Sequence, residues 1–340
     1  MARDPLDRYW MILGGEAEAR YLTSKQTMMD VDLRSDTETL WAIHSSAAPS
    51  KKSQGEVSLL DLKAELAGRM LSDCTMCERS CHANRACGEA GHCGVLDTRI
   101  SSEFLHMGEE PELVPSHTIF FSGCTFDCVY CQNYDISTNP VSGMMIPPDL
   151  LSKAIEKRAM NDAGKVHQLN LPAASKNVNW VGGDPTSNLA FILRTLSECD
   201  VNLPQVWNSN MYLTERTLEL LDGAIDVYLT DFKYGNDICA KRLSGIDRYM
   251  EVTQRNHQIA RAQAEMIIRH LVLPSHLECC TRPILTWIAK NLKEVKVNVM
   301  GQYRPAHRAQ GFKDISRSIR VSEYESALRI AEELELDLCA

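Results

Sequence analysis

Along the second half of the chain, short apolar runs alternate with longer segments whose apolar residues recur every three or four positions. The runs are HTIFFSGC (117–124), NVNWVGGD (177–184), PQVWNSN (204–210), DVYLTDFK (226–233), MIIRHLVLPSH (266–276) and VKVNVMGQY (295–303). Their Val, Ile, Leu and aromatic content predicts strands buried on both faces. Between or after them lie PPDLLSKAIEKRAM (147–160), SNLAFILRTLSEC (187–199), LTERTLELLDG (213–223), DRYMEVTQRNHQIARAQAE (247–265), TRPILTWIAKNL (281–292) and SEYESALRIAEELEL (322–336), all with helical spacing. Strand–helix alternation of this kind predicts an α/β fold with a parallel sheet and right-handed crossovers.

The first half reads differently. Up to about residue 70 the chain is polar and helical in pattern, with a loop or hinge at IHSSAAPSKKSQGE (43–56). SLLDLKAELAGRML (58–71) predicts a helix with Ser58 as its N-cap. A cysteine-rich stretch follows. The expected organisation is therefore a helical extension over 1–70, a cysteine-rich metal-binding segment over 71–98, and an α/β domain over 99–340. Residues 1–70 are expected to cap the open side of that domain.

Each predicted strand ends in small, polar or reactive residues. These are Cys124; Gly182, Gly183 and Asp184; Asn208, Ser209 and Asn210; Asp231 and Lys233; Ser275 and His276; and Gln302 and Tyr303. In parallel β/α folds the loops at the carboxyl ends of the strands build the active site. Polar turns are common everywhere, but a set of three cysteines and an Asp/Lys pair on the same rim is not explained by turn chemistry alone.

Composition narrows the function classes. At 44% hydrophobic and 24% charged the chain has a globular composition, and its net charge of −9 gives no strong signal for nucleic-acid binding. No signal peptide and no membrane-spanning run is apparent, so a cytoplasmic protein without membrane contact is expected. Thirteen cysteines in such a chain suggest metal or redox chemistry rather than a disulfide framework.

The stretch SGCTFDCVYCQN (122–133) sets Cys124, Cys128 and Cys131 in a C-x3-C-x2-C spacing, with Tyr130 before the last. Short gaps let three thiolates converge on one iron–sulfur cluster, and a fourth iron is left for a ligand that is not protein. This loop, placed after the first strand of a β/α array, resembles the radical S-adenosylmethionine (SAM) superfamily. The later motifs look most similar to the branch of pyruvate formate-lyase activating enzyme homologues with an N-terminal cysteine segment.

The resemblance implies an incomplete (β/α)6 TIM-like barrel, a [4Fe-4S] cluster on Cys124, Cys128 and Cys131, and SAM chelating the open iron. It implies an oxidoreductase that cleaves SAM reductively to a 5′-deoxyadenosyl radical, which abstracts hydrogen from a substrate. Tyr130 matches the aromatic position near the adenine. Gly182, Gly183, Asp184, Pro185 and Thr186 align with the Gly-Gly-Glu motif that meets the SAM amino group, with Asp184 a shorter acid than the family's Glu. Asn208, Ser209 and Asn210 fall where relatives contact the ribose and carboxylate. Asp231 and Lys233 match an Asp-x-Lys element, and Gln302 is a further cofactor-contact candidate. His270, His276, Gln302 and Tyr303 are also candidates for substrate contact, although a lone His near a strand end commonly has a structural role.

The resemblance further implies a flavodoxin or ferredoxin as reductant and a glycyl-radical-type protein as substrate. A small metabolite, a peptide or RNA is the alternative substrate. An electron-transfer protein that leaves SAM intact and a zinc-stabilised interaction module are the rivals of other classes. In CTMCERSCHANRACGEAGHCG (74–94), Cys74, Cys77, Cys81 and Cys93 match the family's N-terminal cysteines and form a candidate second site, for zinc or a second iron–sulfur cluster; Cys87 is extra. Cys279 and Cys280 precede a helical pattern and are expected to be buried small apolar residues, with a redox-active pair as the alternative.

Overall fold

The computed structural model describes residues 4–47, 54–160 and 174–339, so part of the expected hinge at 43–56 lies outside the described residues. A short antiparallel ladder pairs β1 (Met28–Met29) with β2 (Val57–Ser58). The main sheet contains β3 (Ile100–His106), β4 (Ser116–Phe121), β5 (Asn177–Gly182), β6 (Gln205–Ser209), β7 (Val227–Asp231), β8 (Glu265–Leu271) and β9 (Lys296–Met300), hydrogen-bonded in that order. From β4 to β9 every neighbouring pair is parallel. These are the six strands read from the apolar runs, and a partial (β/α)6 barrel fits their order. β3 is an addition that the sequence pattern did not indicate: it pairs antiparallel with β4 at the sheet edge.

Alternation along the strands divides the sheet into two faces. Trp180, Trp207, Tyr228, Met266 and Ile268 face the outer helices in the main core. On the other face, Val206, Val227, Leu229 and Ile267 pack with Leu6, Tyr9 and Leu113 in a second, smaller core. Higher on that inner face stand Asn208, Asp231 and Arg269, which line a cavity at the carboxyl ends of the strands. The inner face is thus dry at one end and polar at the other.

The first helix closes the dry end of the inner face. The helix Asp7–Leu13 and its N-cap residue Leu6 present fully buried Tyr9 and Leu6 to the inner core. The Glu265 carboxylate, at the start of β8, accepts from the Arg8 and Tyr9 N–H groups at 2.6 and 2.8 Å, satisfying donors that a helix start leaves free. Asn177 Nδ2 donates to Tyr9 Oη at 3.1 Å. The helix Leu59–Arg69 has the expected Ser58 cap, completed by Asp61 into a capping box, and buries Leu59, Leu60, Leu62 and Leu66 in the main core or beside it.

Tyr9→Ala is expected to cost about 3–5 kcal/mol, since it opens a cavity in a closed core and removes one hydrogen-bond partner of Asn177. Urea unfolding of the full chain checks this; a loss under about 1 kcal/mol would show that the helix is not a plug.

Candidate active site

The loop after β4 carries the three cysteines. Cys124, Cys128 and Cys131 all line the rim cavity of about 250 Å³, together with Phe126, Tyr130, Gly182, Gly183, Asp184, Asn208, Ser209, Asn210, Asp231, Lys233 and Gln302. Arg269, Leu271, Met300, Val181, Gln132 and Asn133 complete the wall. Residues of five strands and of the loop after β4 thus meet at one place.

Backbone contact with the end of β5 seats the loop. Gly183 N donates to Phe121 O at 2.9 Å and Asp184 N donates to Gly123 O at 3.1 Å. Gly182 has φ +135, and a Cβ there would stand 2.2 Å from Phe121 N. A Cβ on Gly183 would stand 2.0 Å from Gly123 O. Both glycines are therefore required for close strand-end packing against the thiol loop, whatever further role they have in approaching a ligand.

Asp184 is almost wholly buried, and its carboxylate is engaged by protein donors. Oδ1 accepts from Thr186 N at 2.9 Å; Oδ2 accepts from Asn210 N at 3.1 Å and Ser209 Oγ at 3.2 Å. Burial still pushes its pKa above the ordinary carboxylate value. Asn210 Nδ2 passes the connection on to Thr125 Oγ1 at 2.9 Å, inside the cysteine loop. Pro185 and Thr186 are buried and do not line the cavity.

An ionic network forms the floor. Lys233 Nζ lies 2.7 Å from Asp231 Oδ2, and Arg269 Nε lies 3.0 Å from Asp231 Oδ1. Arg269 also donates to Asn208 Oδ1 and lies 3.3 Å from Glu109. Burial pushes the Asp231 carboxyl up, but Arg269 and Lys233 outweigh it and hold its pKa at about 2. Burial likewise opposes the Lys233 charge, and Asp231 overrides it, keeping the ammonium protonated. Sequence reasoning found Asp231 and Lys233 and missed Arg269, although a charged residue inside MIIRHLVL was a usable signal.

Each loop sulfur has a hydrogen-bond partner. Ser244 Oγ donates to Cys128 Sγ at 2.9 Å, Phe126 N donates to Cys124 Sγ at 3.4 Å, and Cys131 Sγ lies 3.3 Å from Ser137 Oγ. Tyr130 is buried between Tyr234 and Tyr303, with ring centroids 6.4 and 5.9 Å away. The other candidates stand apart from the cavity. His270 faces the outer layer, where Nδ1 contacts Phe232 O and Nε2 contacts Thr281 Oγ1, both at 2.9 Å. His276 contacts Pro274 O, and Tyr303 donates to Ile315 O.

The N-terminal cysteines lie against the same rim. Cys74, Cys77, Cys81 and Cys93 surround a small void of about 10 Å³ with His92, Thr125, Thr186 and Ser187. Cys87 is exposed outside it. Arg79 donates to Thr125 O and Gly245 O, and Arg85 donates to Ser187 O at 2.8 Å, bracing the segment on the loops beside the cavity.

Residues 118–288 match the sequence pattern of the Radical SAM superfamily. The chain belongs to the radical SAM superfamily. It is 43% identical over 348 residues to an uncharacterised protein of Methanocaldococcus jannaschii, with 98% of each chain covered. Among solved structures, it is similar to methylornithine synthase (PylB) at TM-score 0.46 and 14% identity, covering 97% of this chain and 77% of that one. It is also similar to Streptococcus suis SuiB bound to S-adenosylmethionine at TM-score 0.46 and 12% identity, covering 63% of this chain and 47% of that one.

Radical SAM membership implies an enzyme with a [4Fe-4S] cluster and SAM as cofactors. The residues present fit such a cluster. Three thiols meet one cavity, and each sulfur has a hydrogen-bond partner, as suits thiolate charge. No helix among the described residues is long and apolar enough to cross a membrane.

Gly183→Ala is expected to cost about 1–3 kcal/mol by displacing the thiol loop from β5. The iron-to-protein ratio after anaerobic reconstitution, beside an unchanged circular dichroism spectrum, checks it. A wild-type ratio would show that the loop does not need this contact.

Proposed function

We propose that this chain is a radical SAM enzyme in which Cys124, Cys128 and Cys131 hold the [4Fe-4S] cluster. SAM then lies along Gly182–Asp184, Asn208–Asn210, Asp231, Lys233 and Gln302. The observation that supports this reading is the single rim cavity shared by the three thiols and those polar residues. When bound, the cluster and SAM supply one-electron cleavage of a carbon–sulfur bond and hydrogen-atom abstraction from a substrate.

The chain's own residues supply position and dielectric. Lys233, kept cationic by Asp231, is the donor suited to a carboxylate. The Asn208 and Ser209 side chains suit hydroxyl and carboxylate groups of the ligand. Asp184 acts through the strand ends that it ties together, because its oxygens already accept from Thr186, Ser209 and Asn210. Val181, Leu271, Met300 and Phe126 form apolar wall that keeps water from the reacting atoms. Ser244 stabilises negative charge on Cys128.

The finer reading places the chain in the pyruvate formate-lyase activating enzyme-like branch, acting on a glycyl-radical-type protein and reduced by a flavodoxin or ferredoxin in the cytoplasm. Its support is the match of Gly182–Thr186 and of Asp231 and Lys233 to that branch's motifs. Anaerobically reconstituted protein given SAM and dithionite should release 5′-deoxyadenosine and methionine, and Cys128→Ala should reduce this to the uncatalysed background. A cluster that changes redox state while SAM stays intact would favour the electron-transfer reading. Zinc without iron would favour the interaction module. Deuterium carried into 5′-deoxyadenosine from a labelled glycine-containing protein would support the finer reading, and label from a small-molecule fraction would refute it.

Cys74, Cys77, Cys81 and Cys93 form the proposed second metal site, supported by their shared void beside Thr186 and Ser187. A variant with Cys124, Cys128 and Cys131 changed to Ala should still bind zinc or iron at this segment, and adding Cys77→Ala should lower the amount of metal bound. Metal analysis showing no change on adding Cys77→Ala would end this assignment.

A further inference from the structure

Among the described residues, one set of three side chains brings its ligating atoms within 4.8 Å of one another: Cys239, Cys279 and Cys280. None belongs to the cysteine loop, the rim cavity or the N-terminal segment. Cys239 stands in the first turn of the helix Asp237–Ser244, which follows β7; Cys279 and Cys280 lie on a π-helical turn, Leu277–Thr281, which follows β8. The sequence reading expected Cys279 and Cys280 to be buried apolar residues. Cys280 is buried, but Cys279 is exposed, so apolar packing does not account for it.

We propose that these three thiols form a site for one thiophilic d10 cation of the Zn²⁺ type. Three sulfurs bound about 2.3 Å from one ion stand about 3.8 Å apart in tetrahedral geometry and about 4.0 Å apart in a trigonal plane. Cys279 Sγ and Cys280 Sγ lie 4.0 Å apart, so an ion can be received with little movement of the chain.

The backbone around the thiols is fixed. Asn236 Nδ2 donates to Cys279 O at 2.7 Å, while Asn236 Oδ1 accepts from Cys239 N at 2.8 Å, so one side chain holds both halves of the site. Gly235 permits the contact, because a Cβ there would stand 2.7 Å from Cys280 O. The π-turn brings adjacent Cys279 and Cys280 to the same place, and single π-turns concentrate at functional sites. Two buried thiols and one exposed thiol leave a solvent-facing approach for the ion and for a fourth, water ligand. On binding, three S–H bonds lose protons to solvent and three metal–sulfur bonds form, with no change of oxidation state.

The site reaches toward the cysteine loop through one element. The helix that carries Cys239 in its first turn ends at Ser244, whose hydroxyl donates to Cys128 Sγ at 2.9 Å. An ion on the triad stiffens that helix. The proposal itself stands on the triad alone, whatever the loop binds.

The test follows Cys279 in the full reduced chain by peptide-resolved iodoacetamide alkylation, with the chelator-treated protein compared with protein given Zn²⁺. Zn²⁺ should slow Cys279 alkylation at least about tenfold, and Cys239→Ser should abolish that protection. Should Cys239→Ser fold poorly, Cys279→Ser, at an exposed position, should lower bound Zn²⁺ by one equivalent in equilibrium dialysis. Alkylation changed less than about twofold by Zn²⁺, or protection that survives Cys239→Ser, overturns the proposal. A disulfide found among these three residues in place of Zn²⁺ binding overturns it as well.

Discussion

Asp184 is the point on which the rim depends. Its backbone N–H holds Gly123 at the base of the thiol loop, and its carboxylate holds Ser209 and Asn210 at the end of β6. One residue at the end of β5 therefore ties together the carboxyl ends of three adjacent strands. A buried carboxylate is costly unless donors surround it, and here three donors do so. The same bonds that satisfy Asp184 set where Cys124 stands relative to Asn208–Asn210. The short Asp side chain fits this role, because its oxygens reach the neighbouring strand ends.

Below that tie, the inner face must satisfy two opposed demands. Near the N-terminal ends of the strands it is closed by Leu6, Tyr9 and Leu113 against Val206, Val227, Leu229 and Ile267. Toward the rim it holds Asp231, Lys233 and Arg269, which with Glu109 make two acids and two bases, charges that would be expensive singly but balance one another within hydrogen-bond distance. The helix Asp7–Leu13 makes this division workable, since it seals the dry end and lets the polar end face the cavity. Leu6 and Tyr9 thus belong to the core on the inner face of the sheet.

The elements most easily read from the sequence were those governed by local chemistry. The six parallel strands showed as apolar runs because both of their faces are covered, and Ser58 showed as a cap because a capping box lies within four residues. β3 escaped notice because an edge strand that is half exposed has no continuous apolar run. The helix Asp237–Ser244 escaped because its composition is mixed and its length short. His270 looked like a rim residue, and the strand's alternation turned it to the outer layer, while Arg269, one position earlier, faces the cavity.

What the sequence by itself determined was the spacing of Cys124, Cys128 and Cys131 and the rhythm of strands that puts them on a carboxyl-end loop. Both depend on residues a few positions apart, where covalent geometry and solvent preference act directly. Tertiary structure alone decided that Asp184 spends its oxygens on the protein and that Arg269 completes the Asp231–Lys233 pair. It alone brought Cys239 to Cys279 and Cys280. Each of these meetings joins different strands or the loops that follow them, and only strand register and pairing order bring such positions within bonding distance.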